Sequence, residues 1–178
     1  MDRLPAACWP ALDDGELMRI RFAPSSPNVQ VLAMCGPQIR GRFRVGAKWV
    51  AGWFLVDTGA SREFLSADAV RTASGPLRGI VEKVLHAKGE QDEHVVDAVI
   101  ELEGRNEEGV AVTITFATKA LAAPGLPATS PCGTVGIVGR DLLACGVLTY
   151  SGAYGTWIFE ADVSAFEQRL NATLQVRQ

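Results

Sequence analysis

The sequence is poor in the side chains that bind metals. It holds two histidines, His86 and His94, and four cysteines, Cys8, Cys35, Cys132 and Cys145, with no Cys-x-x-Cys pair. A structural zinc site needs four such ligands at short spacings, so no metal is expected, and no other cofactor. Scattered single cysteines read as free, buried thiols in a reducing compartment. No apolar run approaches the roughly 20 residues that a membrane-crossing helix needs. Met1 to Pro10 hold no apolar core of signal-peptide length. These absences point to a cytoplasmic protein with no membrane partner. The net charge is −3. Without a basic stripe, nucleic acid is not an expected partner. Repeats and low-complexity tracts are missing as well.

What is present suits one globular domain. The 178 residues are 48% hydrophobic and 21% charged, enough for an adequate core. The apolar segments are mostly short and many alternate with polar residues, which predicts a mainly β fold. Residues 1–28, with four prolines, read as an N-terminal arm containing one short strand at Glu16–Phe22. Val29–Met34 reads as a second strand. Gln38–Val45 and Lys48–Val56 predict a hairpin around Gly46, with Arg40, Arg42 and Arg44 on a solvated outer face. Val81–Leu85 and His94–Leu102 flank a polar tip, and Val110–Phe116 is strongly β-prone. Ala120–Gly133, rich in proline and glycine, reads as a loop. Thr134–Val138 is an apolar strand. Val147–Tyr150 and Thr156–Phe159 form a last hairpin. Ser66 is a candidate cap for a helical turn over Ala67–Thr72. Arg140–Cys145 reads as a short helix ending at Gly146. Ala161–Leu170 has helical spacing, and the tail after it reads as frayed. The domain is thus expected over 29–160, with a C-terminal helix and tail over 161–178. Trp49, Trp53 and Trp157 read as packing residues.

One stretch carries chemistry. The run Gly52–Val56 is bulky and apolar, and it ends abruptly at Asp57, followed by Thr58, Gly59, Ala60 and Ser61. A carboxylate where a core strand becomes a turn is poorly hydrated, so it must be paired, hydrogen-bonded or protonated. An Asp-Thr-Gly triplet alone equally fits a turn in which Asp57 bonds its own backbone. A second stretch, Val135 to Leu143, adds weight: Ile137 and Val138 precede Gly139, Arg140, Asp141, Leu142 and Leu143.

Together the two stretches resemble the paired signature of retropepsin-like aspartic proteases, over roughly Arg42 to Gly146. The resemblance implies a closed β-barrel of the acid-protease fold, to which the sequence reading adds one short helix and a C-terminal helix. It implies an aspartic endopeptidase in which Asp57 is catalytic. Thr58 matches the hydroxyl that bonds across a dimer axis, and Gly59 the residue whose carbonyl receives the substrate backbone. Ala60 and Ser61 match the cleft floor. Ile137 and Val138 match residues beside the aspartate loop, and Val135 with Ile137 match walls of apolar side-chain pockets. Gly139 matches a close-packing position and Arg140 a structural arginine. In viral members that arginine pairs with an acid just after Asp-Thr-Gly-Ala. Here Ser61, similar to cellular relatives, and Arg62 follow instead, so Glu63 and Asp141 are the nearby acids that can substitute. The hairpin near residue 87 matches a substrate-covering flap with Ala87, Lys88 and Gly89 at its tip, although an ordinary surface hairpin fits the same residues.

The chemistry sets the assembly. Two carboxylates held close together cannot both ionise; one stays protonated and polarises a carbonyl while the other takes a proton from water. The sequence has one Asp-Thr-Gly, so the second carboxylate must come from a second copy. A homodimer with Asp57 facing its twin on a two-fold axis follows, with a peptide or protein as substrate. Two other classes remain open: a retropepsin-like dimerisation or peptide-binding module without turnover, and an unrelated β-barrel in which Asp57 makes a turn.

Overall fold

The computed structural model describes residues 19–86, 89–124, 126, 132–170 and 173–176. In chain order they form β1 (Arg19–Phe22), α1 (Val29–Cys35), β2 (Gln38–Val45), β3 (Lys48–Val56), β4 (Phe64–Ser66), α2 (Ala67–Ser74), β5 (Val81–His86) and β6 (Gly89–Asn106). There follow β7 (Ala111–Ala123), β8 (Thr134–Val138), α3 (Arg140–Leu143), β9 (Gly146–Ser151), β10 (Thr156–Asp162), α4 (Val163–Leu170) and β11 (Thr173–Val176). The fold is mainly β, with few and short helices.

Alternation drives the barrel. In β2, Ile39, Gly41 and Phe43 are buried, and Arg40, Arg42 and Arg44 are exposed. β2 pairs with β3 through the expected hairpin, Val45 opposite Lys48, and Gly46 supplies the positive φ of 66° at the turn. β3 continues to β8, β8 to β4, β4 to β7, β7 to β6, and β6 back to β2, which closes six strands into a barrel. Closure gives each of the six a partner strand on both sides. Phe43, Phe54, Ile100, Leu102, Ile114, Phe116 and Val138 fill the interior, each large side chain stabilising by roughly 1.5–3 kcal/mol. β1, β10 and β9 extend the sheet past β6, and Phe22 stacks on Phe159 at 5.8 Å. The outer arginines are not bare: Arg42 pairs with Glu101 at 2.5 Å, and both Arg42 and Arg44 lie over the Trp49 ring.

Several sequence expectations are corrected. Val29–Met34 is helix, not strand. The Asn28 side chain accepts from the Val31 N–H at 2.9 Å, and Gly36, with φ 70°, closes the other end by donating to the Leu32 carbonyl. With caps at both ends and only Leu32 buried, helix wins over β propensity. The expected 120–133 loop starts later: Ala120 to Ala123 continue β7, because they are buried and pair with β6 on one side and β4 on the other. The tail is not frayed at 173–176, where β11 pairs with β7. Cys35 and Cys132 are not free thiols; they form a disulfide. Such bonds persist in oxidising surroundings, so the thiol argument for a reducing compartment fails for these two residues. Cys145, the other described cysteine, is buried and forms no disulfide. Among the described residues no helix is long and apolar enough to cross a membrane.

Three other elements follow expectation, with α4 starting at Val163 because Ala161 and Asp162 extend β10. Ser66 caps α2, its hydroxyl accepting from the Ala69 N–H. β9 and β10 form the last hairpin, and α4 buries Val163 and Phe166. Arg19 to Phe22, read as part of an arm, pair with β10 and β6 and so belong to the sheet. Trp157 is buried, whereas Trp49 and Trp53 are exposed at the surface of β3.

Candidate active site

The Asp57 loop joins β3 to β4, and β8 lies between those two strands. Val56 stands opposite Val138 in a parallel pairing, and Phe64 opposite Ile137 in an antiparallel one. The loop therefore crosses the C-terminal end of β8, and three backbone bonds hold it there. The Asp57 N–H donates to the Val138 carbonyl at 3.1 Å. The Ala60 N–H donates to the Asp57 carbonyl at 3.2 Å. The Arg140 N–H donates to the Ala60 carbonyl at 2.9 Å.

Gly139 makes this approach possible. A Cβ there would collide with the Arg62 carbonyl and lie 2.9 Å from the Ala60 oxygen. The Asp57 carboxyl is half-buried and accepts from the Gly59 N–H at 2.7 Å. Thr58, Gly59 and Ser61 are exposed beside it, and Ala60 is buried. The loop thus presents one oriented carboxylate, a hydroxyl and a glycine on an accessible surface.

The second stretch divides. Ile137 is half-buried and joins a small apolar cluster with Ala60, Phe64, Leu121 and Ala123. Val135 and Val138 belong to the main core, with Val138 fully buried. Val135, expected beside an apolar pocket, is buried in the protomer and fills the space over Gly52. Among the described residues Arg140 has no carboxylate partner within ion-pair distance. Neither Glu63 nor Asp141 takes the role offered to it by position.

Glu63 does something else that sequence reasoning missed. Its side chain is 1% exposed; Thr118 Oγ1 donates to one oxygen at 3.1 Å, and the other oxygen has no hydrogen-bond partner. Burial pushes its carboxyl above the ordinary range, aided by the nearby Asp141 charge and opposed by its backbone and Thr118 hydrogen bonds and by Arg62. The signal was an acid directly before the apolar pair Phe64–Leu65. Arg62 turns outward instead and pairs with Glu82 of β5 at 3.1 Å, which ties the loop to the hairpin.

That hairpin is tighter than expected. β5 and β6 stay paired from Val81 opposite His94 to His86 opposite Gly89, so most of the polar stretch is ladder rather than loop. Gly89, with φ 111°, starts β6. Ala87 and Lys88 lie outside the described residues. Ile80, Val81 and Leu85 along this hairpin are exposed, Leu85 at 80%. Among the described residues no group of three or more His, Cys, Asp or Glu is placed to hold a metal. No protein-family profile, curated protein or solved structure matches the chain.

Proposed function

We propose that the chain is a retropepsin-like aspartic endopeptidase that acts as a homodimer on extended peptides. The observation that carries this reading is the Asp57 loop itself: a carboxylate oriented by Gly59, clamped across the end of β8, and open to solvent. Such a group alone only binds. Facing a second copy of itself across a two-fold axis, it forms a pair that shares one proton and titrates as a unit. The protonated member polarises the scissile carbonyl, and the ionised member takes a proton from the attacking water. Each protomer supplies one Asp-Thr-Gly loop, so the site is incomplete without its partner. In this reading Thr58, exposed beside Asp57, bonds across that axis. The β5–β6 hairpin, with its outward Leu85, supplies an apolar cover for a substrate that binds as an added strand.

The test is peptide-library cleavage by wild type and Asp57→Asn over a range of protein concentrations. Asp57→Asn is expected to lose activity by about three orders of magnitude or more, and the wild-type specific rate to fall on dilution. Cleavage that survives the substitution, or a specific rate that stays constant on dilution through the dimer dissociation constant, overturns the reading.

A further inference from the structure

A groove of about 850 Å³ lies under α1, and Asp57 takes no part in it. It opens where β1 and β2 part company over β6. β2 meets β6 only from Gly41, opposite Leu102, and β1 meets β6 at Ile20 and Arg21, opposite Asn106 and Arg105. Gln38 to Arg40 thus pair with β3 on one side and, among the described residues, with no strand on the other. Exposed apolar side chains line part of the groove: Val31 and Met34 from α1, and Trp53 from β3, at 47%, 65% and 41%. Exposed apolar groups of this size, gathered at one concavity, mark an interaction site.

The charges select the partner. Arg21, Arg40 and Arg105 line the groove against one acid, Glu103, on a chain whose net charge is −3. Arg40 reaches Glu103 only at 3.8 Å, an exposed pair of little strength. Arg21 is held by Glu160. Arg105 donates to the Gly109 carbonyl at 2.7 Å and has no carboxylate within ion-pair distance among the described residues. We propose that this groove docks an extended acidic peptide segment carrying an apolar side chain. Its backbone adds to the open edge of β2, its apolar side chain rests between Met34 and Trp53, and its carboxylates face Arg40 and Arg105. A strand edge offers main-chain hydrogen bonds to a peptide and none of that pattern to a nucleic acid.

The experiment is calorimetric titration of Asp57→Asn protein, in which cleavage by the proposed site is removed, so that this inference and the protease reading fail separately. The probes are the capped hexapeptides Glu-Leu-Glu-Leu-Glu-Leu, Lys-Leu-Lys-Leu-Lys-Leu and Glu-Ser-Glu-Ser-Glu-Ser, together with oligothymidylate. The Glu-Leu peptide is expected to bind, and the others to bind at least about tenfold more weakly. Trp53→Ala, and Arg40→Ala with Arg105→Ala, are each expected to weaken it about tenfold, as loss of an aromatic or arginine anchor does. Arg78→Ala, at an exposed cation outside the groove lining, is expected to change nothing. No binding up to about 1 mM, equal binding of the lysine peptide or of oligothymidylate, or unchanged affinity in correctly melting Trp53 and arginine variants overturns the proposal.

Discussion

Breaking the Cys35–Cys132 bond is the sharpest perturbation this fold offers. The bond joins the end of α1 to the residues leading into β8, across a sequence separation of 97. Cross-linking a loop of that length removes chain entropy from the unfolded state, worth about 4.7 kcal/mol at 25 °C in the loop-closure treatment. The native contacts around it do not depend on the sulfurs. Gln38 Nε2 donates to Thr134 Oγ1 at 2.8 Å, and the Trp53 N–H to the Gly133 carbonyl at 3.1 Å. The folded state should therefore survive reduction while the unfolded state gains freedom. Against a total stability of roughly 5–15 kcal/mol the loss is large. With a urea m-value of about 2–3 kcal/mol/M, the midpoint should fall by roughly 1.6–2.4 M. Urea titration followed by tryptophan fluorescence, with and without reductant and for Cys35→Ser with Cys132→Ser, reads this directly. An unmoved midpoint refutes the entropy argument. Alkylation of both cysteines in denaturant without reductant refutes the bond itself.

Other expectations follow from the site and its frame. The folded state holds the Glu63 proton more tightly than the unfolded chain, so its stabilising contribution is full below the ordinary value of 4.5 and is lost as pH rises through the raised folded value. Glu63→Gln should therefore flatten the stability–pH profile above pH 4.5, by about 1.4 kcal/mol for each unit that separates the two values; thermal melts of both proteins across that range check it, and parallel profiles count against it. Gly139→Ala should cost about 3 kcal/mol or more, because the new methyl meets the backbone of Arg62 and Ala60 rather than a movable side chain; chemical denaturation measures it. Asn28→Ala should cost about 1 kcal/mol through loss of the α1 cap, seen as a lower melting temperature with an unchanged fold.

Much of the barrel was legible because alternation is a strong signal wherever one face of a strand is buried. β2 with its arginines announces itself this way, whereas β3 and β8 show as short apolar runs. Two failures share a cause: long-range pairing overrode local composition. Ala120 to Ala123 look like loop beside Pro124, yet two neighbouring strands claim them. The polar stretch Gly89 to Glu93 looks like a hairpin tip, yet strand pairing with β5 runs through it. Val29–Met34 failed for a local reason, since its β-branched and apolar residues obscured capping signals at Asn28 and Gly36. The disulfide was illegible because no spacing rule brings Cys35 to Cys132; only the β3–β8 pairing does. Around the candidate site, the turn after β3 at Asp57 and the close packing at Gly139 were legible. Sequence reasoning did not foresee that Val135 faces the core or that Glu63 is buried beside the loop, because both depend on which face of β8 and β4 turns inward.

The two sequence stretches need each other for a reason that lies in three successive residues. Val138 supplies a carbonyl to the Asp57 N–H, Gly139 supplies the absence of a side chain, and Arg140 supplies an N–H to the Ala60 carbonyl. Acceptor, space and donor come from backbone, so the loop is located without any contact to its functional atoms. Each bond is worth about 1 kcal/mol net, modest for stability and sufficient for placement, because together they constrain the loop near both ends. Among the described residues the Asp57 side chain contributes only its bond to Gly59, which a neutral asparagine oxygen can also accept. It follows that the fold of the protomer and the charge at its tip are separable. Asp57→Asn should leave the melting transition within about 1 kcal/mol of wild type while changing whatever chemistry the carboxylate performs. A large loss of stability on that substitution would mean that the carboxylate holds the loop together, which is the work of a structural turn.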